Sequence, residues 1–429
     1  MSSSLSKRIV LATFGTHGDV LPFVGLAKQL QARGHRPVIA TSSLYEPLLR
    51  EHGVEFAPAA PHHEQIMRDL NIDMAALMKR IFNPWTGGNF VLQKMVLPYF
   101  EQIFAELDAA CEGADMLISQ PMASAAYLVA NKRALDWRTV ILQPLPLGFM
   151  SAQDVPVISN HIPMHRLPDW IGQGGYRWLM DLSKKAGRRM ARVYDDKARE
   201  LGFYDPKIHP LCEAVFAPKG TIALFPQSLM KQPLATDFPK GVTFAGFSYF
   251  DGGAKTALSD ELRQFLDQGA PPVVFTLGSS VVFNPGRFYE ESSLACQKLG
   301  VRAVFLVGQH QIKQALPPSQ IAVPWASHAA LFPRCRAVVH QGGIGTCAQA
   351  SRAGVPQLFV PHAHDQPDNA ARLGRLGVAL TLLPSKTHGA PLLAALTALV
   401  SDEALSAAAR QFQGSINQIC GTVLAAEQL

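Results

Sequence analysis

The 429-residue chain has six cysteines, and no two of them are spaced as Cys-x-x-Cys. Cys111, Cys212, Cys296, Cys335, Cys347 and Cys420 are scattered, so neither a structural zinc site nor a disulfide framework is expected. A reducing, cytoplasmic compartment is the simpler setting. No apolar stretch runs unbroken for the roughly 18 residues that a spanning helix needs. The opening MSSSLSKRIVLATFG lacks the apolar core and small-residue cleavage site of a signal peptide and leads directly into a strand-like run. A dense Lys/Arg tract with interleaved aromatics is also missing, so nucleic acid is not an expected partner. Neither a short-period repeat nor a low-complexity tract is present.

Hydrophobic residues make up 48% of the chain and charged residues 17%, the balance of a globular protein. The length exceeds one ordinary core and fits two domains of about 200 residues each. The formal net charge of +6 favours anionic partners, such as a nucleotide phosphate or an anionic membrane face. Ordinary solubilising charge gives the same sum.

KRIVLATFG reads as a buried strand and GDVLPFVGLAKQLQARGH as the following helix, with Leu21, Val24, Leu26 and Leu30 on one face and Gly34 as terminator. PVIATSS is the next strand, which completes a βαβ unit and implies a doubly wound parallel sheet. Further strands are expected near 116–120, 138–143 and 220–225. The second half repeats the pattern with PPVVFTLGSS, RAVFLVG, RAVVHQGG and PQLFVPH. The domains are therefore set at 1–225 and 256–405, joined by a Pro- and Gly-rich linker at 226–255, with a closing helix at 406–429 that packs back on the first domain.

Between residues 60 and 215 the α/β rhythm falters. Met67, Met74, Met78, Phe82, Trp85, Phe90, Met95, Tyr99, Phe100, Phe149, Met150, Trp170, Trp178 and Met180 gather there. Flexible Met and flat aromatics can line an adaptable apolar pocket, or can simply be core. RWLMDLSKKAGRRMARVYDDKARE carries basic residues at helical spacing, which suits either a solvated face or a peripheral contact at the inner membrane face.

Two glycine turns hold the candidate chemistry. In RAVVHQGGIGT a strand ends at His340, and Gly342, Gly343 and Gly345 let the backbone approach a ligand closely. A helix starting near Gly345 or Thr346 would aim free N–H groups and its positive dipole end at that turn, a geometry suited to a diphosphate. His340 could donate to a phosphate oxygen, and Thr346 could add its hydroxyl.

These residues, with Trp325-Ala326-Ser327-His328, AGVP at 353–356, His364-Asp365-Gln366 and Asn369-Ala370, resemble the donor-binding signature of family 1 glycosyltransferases. The opening GTHGDVLPFVGLAKQLQARGH is similar to the start of their bacterial members. The segments FDGG, LSDELRQFLDQGAPPVVFTLGSS and HDQPDNAARLGRLG look closest to rhamnosyltransferases of rhamnolipid synthesis. The resemblance implies a GT-B fold, two Rossmann-like domains facing across a cleft. It also implies a UDP- or dTDP-sugar donor, with rhamnose or glucose as the sugar. By this resemblance Trp325 stacks on the base. His340, Gly343, Gly345 and Thr346 hold the diphosphate, and Ser279 and Ser280 reach it from the facing turn. Asp365 and Gln366 take sugar hydroxyls. A family glutamate that grips the ribose has its nearest equivalents here in Gln349 or Ala348, which leaves that contact open.

Transfer to an alcohol needs a base at the mouth of the first domain. In FGTHGDVLPF both His17 and Asp19 qualify by type. Aligned on Gly18 and Pro22, the plant family's catalytic histidine falls at Asp19, so Asp19 is assigned as base with His17 as the alternative. Asp19 would also serve as cap of a helix beginning at Val20. Asp-x-Asp is absent, so no metal or other cofactor is expected, and the reaction is read as direct displacement with inversion. The acceptor is expected to be a hydrophobic alcohol: a hydroxy-fatty acyl lipid or, alternatively, a polyketide, sterol or flavonoid-like aglycone. A nucleotide-sugar epimerase and a non-catalytic partner subunit are the readings from other classes.

Overall fold

The structure, a computed structural model, describes residues 6–149, 151–161, 163–252, 257–416 and 418–429, without the side chain of Ser280. Met150 and part of the expected linker lie outside the described residues.

Two parallel sheets organise the chain. The first holds seven strands: β1 Arg8–Ala12, β2 Arg36–Thr41, β3 Glu55–Pro58, β4 Met116–Ser119, β5 Asp136–Ile141, β6 Thr221–Ala223 and β7 Val242–Phe244, in the order β3-β2-β1-β4-β5-β6-β7. The second holds six: β8 Val273–Thr276, β9 Ala303–Leu306, β10 Gln320–Val323, β11 Ala337–His340, β12 Gln357–Phe359 and β13 Ala379–Thr381, in the order β10-β9-β8-β11-β12-β13. The strand order reverses beside β1 in the first sheet and between β8 and β11 in the second. Crevices at such reversals, outside the C-terminal strand ends, are where open α/β sheets bind ligands.

The inner strands are the ones visible as apolar runs. RIVLA of β1 and VVFT of β8 are covered on both faces by helices, so almost every residue is buried and none needs to be polar. β3, β7, β10 and β13 were not expected from the sequence. All four are sheet edges, three or four residues long, with partly exposed side chains. β7 falls inside the stretch expected to link the domains and adds a final strand to the first sheet.

The chain crosses between the domains more than once. Near Phe247–Asp251 it is held from both sides: Gln349 donates to the Tyr249 carbonyl (2.9 Å), and Ser327 donates to Asp251 (2.7 Å). The helix Glu403–Ser415 stays with the second domain, where Gln413 bonds the Arg352 carbonyl at 2.7 Å. Only the last helix, Gly421–Glu427, returns to the first, seating Ala425 and Ala426 in the core beside the helix His17–Ala32.

A buried charge cluster fixes how the domains meet. Arg372, on the helix Gln366–Arg375, bonds Asp368 (2.7 Å) on its own helix and Asp154 (2.9 Å) on a first-domain loop. The three side chains are at most 3% exposed. Asp368 also accepts from Val157 N (3.0 Å), and Asn160 donates to the Pro361 carbonyl (2.7 Å).

Much of the Met- and aromatic-rich region is core. Met78, Met95 and Phe100 are buried, with Phe14, Ile66 and Leu77 forming part of a satellite cluster around the first two. They are therefore not available to line a ligand pocket. Trp85, Trp170 and Trp178 lie at the opposite extreme, on the surface.

Candidate functional site

The first turn follows β1. Thr16 caps the helix His17–Ala32 and makes a reciprocal box with Asp19, which stands at the third helical position and is not the cap itself. One Asp19 oxygen, Oδ2, accepts from Thr16 N (2.7 Å) and Thr16 Oγ1 (3.2 Å). The other, Oδ1, has no donor among the described residues. Gly15 adopts φ +141°, and a Cβ there would fall 2.2 Å from Asp19 Oδ2, so the turn requires glycine for Asp19 to fold back. Burial pushes the Asp19 carboxyl up to about 6, against the downward pull of the two Thr16 bonds. His17 is exposed at the turn and packs edge-on against Tyr45 (5.2 Å); desolvation by the surrounding protein lowers its pKa.

The second turn follows β11. The helix Ile344–Ala353 begins at Gly343 with no side-chain cap, and the N–H groups of Ile344 and Gly345 have no protein partner. Gly345 is exposed, and a Cβ on it would meet nothing within 4 Å. Gly342 (φ +98°) carries the sharp bend, where a Cβ would strike Phe359 at 2.8 Å. The Thr346 hydroxyl has no partner among the described residues. The result is an uncapped helix start that offers donors and a positive dipole end.

His340 departs from its expected role. It is 0% exposed, and both ring nitrogens are used internally: Nδ1 accepts from Gly342 N (3.1 Å) and Nε2 bonds Gln357 Oε1 (3.0 Å). Burial drives its pKa down to about 3, so the ring is neutral. It shapes the bend from beneath and is not free to donate to a phosphate. Gln349 is likewise buried, and its Nε2 is held by the Tyr249 carbonyl.

Asp365 sits at the start of the helix Gln366–Arg375, directly after His364, whose φ of +60° is rare for a residue with a side chain. Asp365 Oδ2 accepts from Asn369 Nδ2 (2.7 Å), which also holds the Gly342 carbonyl (2.9 Å). Asn369 thus joins Asp365 to the Gly342 turn, a part that the sequence alone does not reveal. Burial, and after it the negative charge of Asp19, pushes Asp365 up to about 7. That coupling brings the two carboxylates, one from each domain, to bear on the same cleft. Gln366 is buried; its Oε1 accepts from His362 N (2.8 Å) and Ala363 N (3.3 Å), which leaves only its Nε2 for a ligand.

Trp325 is 58% exposed just beyond β10. β9 and β8 lie between β10 and the β11 turn, so Trp325 stands roughly 14 Å away at ordinary strand spacing. Ser279 is exposed on the short turn Gly278–Val281 after β8; the Ser280 side chain lies outside the described residues.

Among the described residues, the group spaced to share a metal ion is His209, Cys212 and Glu213, outside both turns. Its donors are already engaged: His209 bonds the Lys184 carbonyl (2.9 Å) and Leu211 N (3.2 Å), and Glu213 pairs with Lys184 (2.5 Å). An apolar cavity of about 20 Å³ lies beneath the first turn, lined by Phe14, Ala60, Val96 and Met122 among others. That is little more than one water needs, so this cavity does not hold a sizeable acceptor; a larger one of about 420 Å³ is lined by Val157, Asn160, His165, Pro367 and Ala370 among others.

Residues 9–106 match the glycosyltransferase family 28 N-terminal domain, and residues 303–419 match the erythromycin biosynthesis protein CIII-like C-terminal domain. One match falls in each of the two parallel-sheet domains, the arrangement of a GT-B fold. The chain is 29% identical over 94% of its length to O-mycaminosyltylonolide 6-deoxyallosyltransferase of Streptomyces fradiae, covering 92% of that protein. It is 26% identical over 88% of its length to the sterol 3-beta-glucosyltransferase of Neosartorya fischeri, but spans only 26% of that longer protein. The solved glycosyltransferase VinC, in complex with dTDP, shares its fold at TM-score 0.68 and 20% identity, with 98% of each chain covered. These relatives act in antibiotic and sterol glycosylation. These likenesses do not show the expected closeness to rhamnolipid enzymes.

Proposed function

We propose that this transferase moves a sugar from a nucleoside-diphosphate donor to a hydroxyl of a polyketide- or sterol-like acceptor, with Asp19 as general base. The observation that carries this reading is the facing of two unlike turns: a carboxylate with one free oxygen and a pKa raised towards neutrality, and an uncapped helix start. Asp19 Oδ1 takes the proton from the acceptor hydroxyl as its oxygen forms a bond to the anomeric carbon. The bond from that carbon to the diphosphate oxygen breaks on the opposite face, which inverts the configuration. The charge left on the diphosphate meets the Ile344 and Gly345 N–H groups, the helix dipole and the Thr346 hydroxyl, so no metal is invoked.

In this reading Trp325 stacks on the base, and Ser279 and Ser280 approach the phosphates from the β8 turn. Asp365 accepts from sugar hydroxyls and the Gln366 amide donates to one. dTDP is favoured as the nucleotide, because the fold neighbour VinC is recorded with it. Closure across the cleft excludes water; the contact of His364 with the Ile81 carbonyl (2.8 Å) is part of that closure.

The test is acceptor-dependent release of nucleoside diphosphate from dTDP- and UDP-sugars, using macrolide aglycones and sterols as acceptors. Release without any acceptor, or isomerised sugar nucleotide, would overturn the assignment.

A further inference from the structure

The helix Leu167–Met190 presents an outward stripe that the catalytic reading does not use. Trp170 (62%) and Trp178 (67%) are among the most exposed large side chains in the protein, and Ile171, Leu182, Met190 and Val193 are exposed with them. Beyond the kink at Gly172, Trp178, Leu182, Lys185 and Arg189 recur at spacings of four, three and four along one side of the helix, and Trp170 and Ile171 stand immediately before that kink. Tyr176, on the opposite side, is the buried anchor.

The charge pattern is as uneven as the hydrophobic one. Residues 166–193 hold seven basic and two acidic side chains, a net +5, against +6 for the whole chain. Arg177, Lys184, Arg188 and Arg192 are paired with Asp237, Glu213, Asp195 and Asp196. Lys185 and Arg189, on the apolar stripe itself, have no ion pair among the described residues. Exposed Trp178 with two free cations on its helix side, and exposed Trp170 just before the kink, match an anionic bilayer interface: the rings occupy the headgroup boundary and the cations meet lipid phosphate. No single helix among the described residues is long and apolar enough to cross a membrane, so the contact is interfacial.

We propose that this stripe seats the protein on an anionic lipid surface. The helix follows the loop that spans the domains, in which Asn160 bonds the Pro361 carbonyl and His161 stacks on exposed Trp85 (5.0 Å). Trp170 lies ten residues beyond Asn160, so docking would hold the cleft near the bilayer, where a hydrophobic acceptor partitions. The binding itself does not depend on the transfer reaction, so its failure and the failure of the proposed function are distinguishable.

The experiment is flotation of the full chain with vesicles of phosphatidylglycerol and phosphatidylcholine mixed, and of phosphatidylcholine alone. The expected result is at least about tenfold preference for the anionic vesicles, weakened by salt. Trp170→Ser with Trp178→Ser should lower binding to both vesicles by about tenfold or more. Lys185→Glu with Arg189→Glu should abolish the anionic preference alone. Circular dichroism of both variants should match the parent, since the replaced side chains are exposed. Binding that is absent at 0.1 M salt, or indifferent to both pairs of substitutions, overturns the proposal. So does a stripe found buried between two copies, seen as a dimer that the tryptophan substitutions dissociate.

Discussion

The two glycine turns occupy equivalent places, each after a central parallel strand and at the head of a helix, yet they have opposite chemistry. At the first, Thr16 and Asp19 cap the helix start reciprocally, and the turn presents a carboxylate oxygen. At the second, Gly343 has no side chain to cap with, and the free N–H groups of Ile344 and Gly345 remain for a ligand. A helix start can thus be used as a base platform or as an anion cradle, and the choice rests on whether a side chain caps it.

Removing the base tests the first turn most severely. Asp19→Asn should cut turnover by about 10²–10⁴-fold while dTDP affinity stays near the parent value, measured by diphosphate release and ligand titration. If His17→Ala is the crippled variant instead, the base is His17. With its pKa near 6, Asp19 should also give kcat/KM an acidic limb, rising as pH passes that value, which Asp19→Asn should erase. The sign for stability is opposite. A carboxyl raised in the folded state favours folding while protonated, and that advantage disappears as pH climbs through about 6. Asp19→Asn should therefore raise the melting temperature more at pH 8 than at pH 5.

The turns face one another only because the domains are locked. Arg372→Met would leave Asp368 buried without its cation and Asp154 with only Arg375 (3.5 Å), and should cost about 3–5 kcal/mol of unfolding free energy in denaturant melts. The second turn is probed more gently. Trp325→Ala should weaken nucleotide binding by about 1–3 kcal/mol by calorimetry, and unchanged binding would remove it from the site. The smallest expected effect makes the second turn imitate the first. Gly345→Asp, at a position with open space, places a carboxylate among the free N–H groups and should weaken dTDP binding about tenfold in a thermal-shift titration.

Which parts were legible in the sequence follows from burial. Strands sandwiched between helices, such as β1 and β11, are continuous apolar runs and were visible; the four edge strands are short and half-polar and were not. The glycine spacing of the second turn marked the bend after β11, since Gly342 (φ +98°) needs glycine and Gly345, without a side chain, is open. His340 was misassigned because a histidine at a strand end has the same letters whether its ring faces the ligand or the core. Asn369 went unassigned because its partners, Asp365 and the Gly342 carbonyl, include one 27 residues away in sequence.

The sequence by itself determined the parallel α/β architecture, the two glycine turns and the residue types placed at them, because these depend on local periodicity and backbone freedom. Tertiary structure alone decided which side chains point into the cleft, how far burial and a facing charge raise Asp19 and Asp365, and which cations pair across the domains. Those properties depend on distances between segments far apart in the chain, which local patterns do not encode.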